Sequence, residues 1–419
     1  MILPLITLAA SLAMSDGLPT TAPRSVGMSA DRLATVDRVV MRGMTAGAYP
    51  GAAVVVGRRG FAVWQKGFGK LGWTASSPAV DPLRSVYDIA SLTKVVGLTT
   101  SVMILFDEGK LTLDTRAVDV LPEFAGPGKD AVTVRLLLTH RSGLPAGRLL
   151  WKTARNPAEA RAQVLETNLQ TRPGARFVYS DVGAMVLGMM VEKVSGMTLD
   201  EFTRSRIFEP LGMYDTGYLP ADSLVPRIAP TEVSPPRGYP LRGEVHDEAA
   251  FALGGVSGHA GIFASAADLS VFAQMMLNGG THNGHRIVAD STIALFTKTV
   301  KDDRALGWET PAGVHGSGEY LSEHAYGHTG YTGTSMWIDP ERDMFVILLT
   351  NRVHAARARR PAIIIGDVRN DVTDAAALAV TDEPLLRQVA YPTSFRVDRQ
   401  EDWNPPRRSA VRRKSSKTR

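Results

Sequence analysis

Apolar positions follow helical spacing in the middle of this chain and strand spacing toward its two ends. Leu33, Val36, Val40 and Met44 recur at intervals of three and four residues, which puts them on one face of a helix. Ser29 stands at the capping position and Gly47 follows, so the pattern predicts a helix from Ser29 to about Thr45. Ala52 to Val56 and Phe61 to Lys66 are short apolar runs. Gly57-Arg58-Arg59-Gly60 separates them and predicts a β-hairpin. From Ser91 to about Leu277 the text is mostly helical and loop-rich. Thr133 to Leu138 leads into a turn at Thr139-His140, and Ala184 to Val194 is apolar at helical spacing. Ser265-Ala266-Ala267-Asp268 is a capping box, and the helix it opens ends at Gly279-Gly280. Strand signals return at Gly333 to Ile338 and Met344 to Leu349, with Asp339-Pro340-Glu341-Arg342-Asp343 as the turn. A final helix is predicted from about Pro361 to Val380.

Strands at both ends with helices between predict an α/β (α+β) fold. One antiparallel sheet forms from the N- and C-terminal parts, flanked by helices, and a mostly helical lobe is inserted. Gly67-Phe68-Gly69-Lys70-Leu71-Gly72 has the G-x-G-x-x-G form. Trp73 and a Ser/Pro-rich loop follow it instead of a helix, so it reads as strand and turn and not as a nucleotide site.

Composition narrows the chemistry. The 419 residues are 44% hydrophobic and 21% charged, ordinary for a soluble globular protein with ample core. There is no Cys, which excludes disulfides, thiolate metal sites, cysteine nucleophiles and a lipid-modified cysteine anchor. The net charge of +5 comes from the end of the chain. Arg407, Arg408, Arg412, Arg413, Lys414, Lys417 and Arg419 have no acid among them; without them 40 basic residues face 42 acidic ones. Residues 393–419 are expected to be a basic disordered tail, a solvated extension in the first place. Residues 2–14 form an apolar run too short to span a bilayer, and Ser11-Leu12-Ala13 is a small-x-small cleavage pattern. Residues 1–13 therefore read as a signal peptide, although Lys and Arg are missing from its start. Export to the periplasm or the exterior is expected, with no transmembrane span.

Ser91-Leu92-Thr93-Lys94 opens a long apolar helix. A Ser and a Lys three apart lie on the same helix face. The hydroxyl is a weak nucleophile until a base takes its proton, and a lysine can serve if burial and the helix dipole lower its pKa. The helix end also offers N–H groups to an oxyanion. These four residues alone also fit a capped amphipathic helix with a solvated Lys. Two further segments change that balance: Tyr179-Ser180-Asp181, and His328-Thr329-Gly330 followed by Tyr331.

The order S-x-x-K, Y-x-N/D, [KH]-T-G resembles the class C β-lactamase and D-alanyl-D-alanine carboxypeptidase superfamily, which also contains esterases. Leu137-Leu138-Thr139-His140-Arg141-Ser142-Gly143-Leu144-Pro145 is close to its L-L-T-H-T-S-G-L-P text. Glu244-Val245-His246-Asp247-Glu248 and Gly254-Gly255-Val256-Ser257-Gly258-His259-Ala260-Gly261 resemble its penicillin-binding-protein-like branch. The resemblance implies a β-lactamase/transpeptidase-like domain over residues 25–392. Its sheet lobe would be about 25–90 and 313–392 and its helical lobe about 91–312, with the site between them. It implies that Ser91 is acylated and that Lys94 and Tyr179 share the proton work, with either as base. It places the oxyanion between the N–H groups of Ser91 and Tyr331. His328 and Thr329 would contact a substrate carboxylate or its replacement, and Gly330 would let a strand edge approach the substrate.

Two positions depart from the common pattern. His328 stands where many β-lactamases have Lys, so a fixed cation becomes a titrating group. Asp181 stands where Asn is common, and it would repel an anionic substrate unless paired with Lys94. Both lower the expectation of efficient β-lactam hydrolysis. The resemblance implies a serine hydrolase, a carboxypeptidase or related peptidase on cell-wall peptides. A carboxylesterase or β-lactamase on the same site is the alternative, and a catalytically silent wall-binding protein a remote one. A small-molecule or peptide substrate, possibly peptidoglycan, is the expected partner; no cofactor, metal or nucleic acid is expected. His246, Asp247 and His259 have no assigned role. His282 and His285 look like a metal pair, but their neighbours suggest a turn. Ser257 narrowly misses a G-x-S-x-G elbow, which keeps an α/β-hydrolase as a minor competitor.

Overall fold

The two ends of the chain build one sheet. A computed structural model describes residues 16–311, 316–354, 358–399 and 403. Its strands are β1 (Gly51–Arg58), β2 (Phe61–Gly69), β3 (Val86–Asp88), β4 (Gly217–Tyr218) and β5 (Ile262–Ser265). They continue with β6 (Thr281–His282), β7 (His285–Arg286), β8 (Tyr326–Gly330), β9 (Thr334–Asp339) and β10 (Met344–Thr350). The main sheet runs β2-β1-β10-β9-β8, antiparallel at every pairing. Val54 of β1 lies opposite Leu348 of β10, so the first strand closes on the last. A small sheet, β3-β5-β4, sits between this sheet and the helices.

Every residue of β1 and β10 is buried because both sheet faces are covered. Successive strand side chains point to opposite faces. Ala53, Val55, Phe345, Ile347 and Leu349 enter the core shared with the helical lobe. Ala52, Val54, Val56, Met344, Val346 and Leu348 enter a second core under two outer helices, Ala30–Thr45 and Pro361–Ala377. Ser29 caps the first of these by accepting the N–H of Arg32. The helix Ala266–Leu277 is capped by Ser265, as its text predicts, and its N-terminal half is buried throughout.

The continuous helix Ala90–Asp107 carries Ser91 and Lys94. It opens as a tight turn, widens to a π-helix over Lys94–Thr99, and becomes α-helical from Thr100. Among the described residues it alone is long and apolar enough to cross a membrane by length and composition, and most of it is buried in the core.

Two local readings change and one holds. The last helix ends at Ala377, short of Val380. His282 and His285 pair across the β6–β7 hairpin, the turn their neighbours suggest. Of the tail expected from residue 393, the described part is packed: Phe395, Val397 and Trp403 are buried, and Arg396 is paired with Asp371, Asp374 and Glu319. Apolar residues spaced among the basic ones supply the surface for that packing. The predicted signal peptide and the last sixteen residues lie outside the described residues.

Candidate active site

Strand β3 delivers the chain to Ile89 and then to Ala90, whose φ of +47° is left-handed. A non-glycine residue in that region is strained and needs support. Asp88 supplies it. One carboxylate oxygen accepts the N–H of Ala90 at 2.8 Å, and the other accepts the N–H of His246 at 2.7 Å. The turn presents Ser91 at the mouth of the helix.

One turn on, Lys94 Nζ donates to Ser91 Oγ at 3.0 Å. It also donates to the carbonyl of His259 at 3.0 Å and lies 2.7 Å from Asp181 Oδ1. Two of these are hydrogen bonds and the third is an ion pair, and the Tyr179 hydroxyl adds a further partner. Burial pushes the Lys94 pKa down, but Asp181 and Tyr179 outweigh it, and the net shift is upward. The sequence alone suggested an amine lowered toward neutrality; the carboxylate at 181 reverses that, and Lys94 is a cation at rest.

Tyr179 and Asp181 reach the site because a helix begins there. Ser180 caps Asp181–Ser195 by accepting the N–H of Gly183, so Tyr179 and Asp181 flank the cap. The Tyr179 ring centroid lies 4.9 Å from Lys94 Nζ, and its hydroxyl interacts with both Lys94 and Ser91. Burial raises the phenol pKa, and Asp181 adds to that against the pull of Lys94. Tyr179 is therefore a neutral phenol at rest. His140 lies against it, ring centroids 4.5 Å apart, in a left-handed backbone conformation with φ of +55°. Its Nδ1 accepts the N–H of Ser180 at 3.1 Å.

The third motif lies on β8, an edge strand. Thr332 and Thr334 donate their hydroxyls to the carbonyls of Asp88 (2.7 Å) and Ile89 (3.0 Å), tying this edge to the nucleophile turn. A Cβ on Gly330 would stand 2.4 Å from the Ile89 carbonyl. The close approach that requires glycine is thus to this turn, where the sequence suggested the substrate. Tyr331 is 62% exposed beside Ser91. His328 is buried, and its Nδ1–H donates to the carbonyl of Thr329 at 2.7 Å. Burial, with the charges of Arg304 and Lys94, holds its pKa well below the usual range. The group expected to titrate is a neutral imidazole that does not line the pocket. Thr329 is half-buried on the same strand.

Ser91, Tyr179, Asp181 and Tyr331 line one cavity of about 340 Å³. A larger groove of about 730 Å³, by Ile293 and His324, contains none of the motif residues. This cavity also has walls that the motifs did not predict: Asp88, Glu232, His246, Asp247, Glu248 and His259. Glu232 pairs with His246 Nε2 at 2.9 Å. The only hint of this wall was the family-like text around His246, Asp247 and His259. Among the described residues no group of three His, Cys, Asp or Glu could hold a metal ion. Ser257, His259 and Asp247 are joined by two hydrogen bonds of 2.8 Å. They have the connectivity of a Ser-His-Asp triad, but Ser257 is buried beside a cavity of only about 10 Å³. No substrate carbonyl fits there, and the sheet is antiparallel, which removes the α/β-hydrolase competitor.

A serine with a buried lysine one turn away, between an antiparallel sheet and a helical lobe, is an arrangement suited to a serine hydrolase. The family model described as Beta-lactamase matches residues 36–368. The chain belongs to that β-lactamase family. It is 32% identical over 387 residues to an Escherichia coli (strain K12) protein named "Putative D-alanyl-D-alanine carboxypeptidase", covering 84% of this chain and 89% of that one. Its fold resembles a penicillin-binding protein homologue from Caulobacter crescentus, with TM-score 0.66, 24% identity, and 84% and 99% of the two chains covered. It also resembles EstCE1, described as a hydrolase with promiscuous acyltransferase activity, with TM-score 0.65, 22% identity, and 83% and 99% covered. At these identities the two structures speak to the fold alone.

Proposed function

We propose that this serine hydrolase is an exported D-alanyl-D-alanine carboxypeptidase, or a related peptidase, acting on cell-wall peptides through an acyl-enzyme on Ser91. The 3.0 Å contact between Lys94 Nζ and Ser91 Oγ carries the chemical reading. The name of the E. coli relative supports the substrate class. Ser91 Oγ attacks the carbonyl of the penultimate residue. The oxyanion is held by the N–H groups of Ser91 and Tyr331. Lys94, already an ammonium, stabilises the developing alkoxide. Tyr179, a neutral phenol touching both, takes the Ser91 proton while passing its own to the departing amine. Water then enters and the same route runs in reverse. His328 and Thr329 shape the strand edge beside the leaving group.

An esterase on the same residues is the second reading, because the same serine, lysine and tyrosine would attack an ester carbonyl as they would an amide. Asp181 does not separate these readings, since it is paired with Lys94, and β-lactams and D-alanyl-D-alanine peptides both carry a carboxylate. A fluorescent penicillin separates these readings. Stable labelling of Ser91 supports a carboxypeptidase, and rapid turnover supports a β-lactamase. An unlabelled protein that cleaves simple esters supports the esterase. A protein inert to both probes would overturn the enzymatic reading in favour of a silent wall-binding protein.

A further inference from the structure

The loop 254–261 contains Gly254, Gly255, Gly258 and Gly261, three of them at positive φ. Glycine gives a chain its largest backbone freedom. Yet this loop supplies the His259 carbonyl, one of the acceptors that hold Lys94. Something must fix that carbonyl. The His259 side chain is buried and used at both nitrogens. Nε2–H donates to Asp247 Oδ1 at 2.8 Å, and Nδ1 shares a proton with Ser257 Oγ at 2.8 Å. Asp247 is itself anchored, because its carboxylate caps the helix Glu248–Ala252 through the N–H of Ala250. Its neighbour His246 is bound through its own N–H to Asp88, which also holds the turn before Ser91. A chain of hydrogen bonds therefore runs from the turn before Ser91, around the cavity wall, to the His259 carbonyl that accepts from Lys94.

We infer that Asp247, His259 and Ser257 are positioning residues for Lys94: they hold the main-chain carbonyl of 259 where it accepts from the ammonium. The triad-like connectivity serves this end and not a second nucleophile. The inference rests on the proposed Ser91–Lys94 chemistry. Lys94 is also faced by Asp181, Tyr179, Asp247 and the neutral rings of His140 and His328. Asp247→Asn removes one of these charges and weakens the acceptor of His259 Nε2–H from a carboxylate to an amide oxygen. Ser257→Ala removes an anchor and no charge, so the pair separates position from field.

The test compares Asp247→Asn and Ser257→Ala with wild type. Asn is itself a good helix cap, so the first variant keeps the start of the helix. Three measurements are made: the acylation rate with fluorescent penicillin or a p-nitrophenyl ester, the melting temperature, and amide exchange over 254–261. Both variants should acylate about ten- to a hundredfold more slowly, as when an orienting partner of an active group is lost. KM should stay within about twofold, and exchange should rise in that loop while the melting temperature holds. The alkaline limb of the rate profile should move to lower pH in both, because an ammonium with a poorer acceptor releases its proton more readily. Wild-type rates or unchanged loop exchange in both variants would overturn the inference. So would rate losses matched by a general fall in melting temperature. Failure of the proposed function looks different: wild type then takes neither probe, or Ser91→Ala reacts as wild type does. Loop exchange reports on the clamp in either case.

Discussion

The ammonium of Lys94 lies 2.7 Å from the carboxylate of Asp181, and this contact sets the charge of the site. It keeps the lysine protonated despite burial, and it works against a phenolate at Tyr179. Asp181→Asn should therefore lower the Lys94 pKa. A lysine raised in the folded state stabilises the fold below its ordinary pKa, near 10.5, and that contribution fades as pH rises through the folded value. The variant should lose about 2 kcal/mol at neutral pH, a figure discounted because Asp181 is 32% exposed. KM for an anionic β-lactam should fall at the same time. Denaturant melts and steady-state kinetics read both; an unchanged stability would show the ion pair to be energetically idle.

Ser91→Ala should abolish turnover and penicillin labelling while leaving the melting temperature within a few degrees. Loss of a nucleophile costs about four or more orders of magnitude in kcat. Activity surviving in this variant and disappearing in Ser257→Ala would place the nucleophile elsewhere.

Lys94→Arg should be nearly as damaging as Lys94→Ala. Arginine keeps the charge, but its planar fork cannot meet partners arranged around a single nitrogen. An active Arg variant would reduce the role of Lys94 to charge alone.

His328 should not read a substrate carboxylate. Because its pKa is held well below 6.5, KM should follow the same pH profile from about pH 5 to 9 for an anionic and a neutral substrate. Stability should respond instead. His140 and His328 are both kept neutral by burial, so as pH falls below 6.5 the unfolded chain takes up protons the folded one refuses. The melting temperature should drop across that window, and less in His328→Asn. A carboxylate-specific inflection in KM would restore the imidazolium role.

Gly330→Ala should damage the site without touching a reacting group. Its Cβ would press on the Ile89 carbonyl and push β8 off the turn that carries Ser91. The expected cost is about 1–3 kcal/mol, with a fall in acylation rate. Calorimetry together with labelling checks both, and a neutral substitution would mean that the strand edge yields freely.

The parts of this protein with strong local signals were legible in its text. Ser29 and Ser265 cap helices where their side chains predict it, and the Ala52–Val56 hairpin forms from its apolar runs and glycine turn. The three motifs told which residues meet. They could not tell their charge states. Whether Lys94 is neutral or cationic depends on Asp181 being 2.7 Å away, and whether His328 titrates depends on its burial. Strands β3 to β5 have at most four residues, too short for periodicity to show. The role of the glycine loop was hidden because His259 acts on Lys94 through a carbonyl, a group every residue has.

The hydroxyls of Thr332 and Thr334 reach back 244 and 245 residues to the carbonyls of Asp88 and Ile89, just ahead of Ser91, and β1 finds its partner only when β10 arrives. A ribosome making this chain thus releases Ser91 long before it releases the strands that give the serine its setting. On the proposed Ser91 chemistry the nascent chain is idle until the segment through Thr350 has emerged, and a proteolytic cut that removes that segment would silence it again.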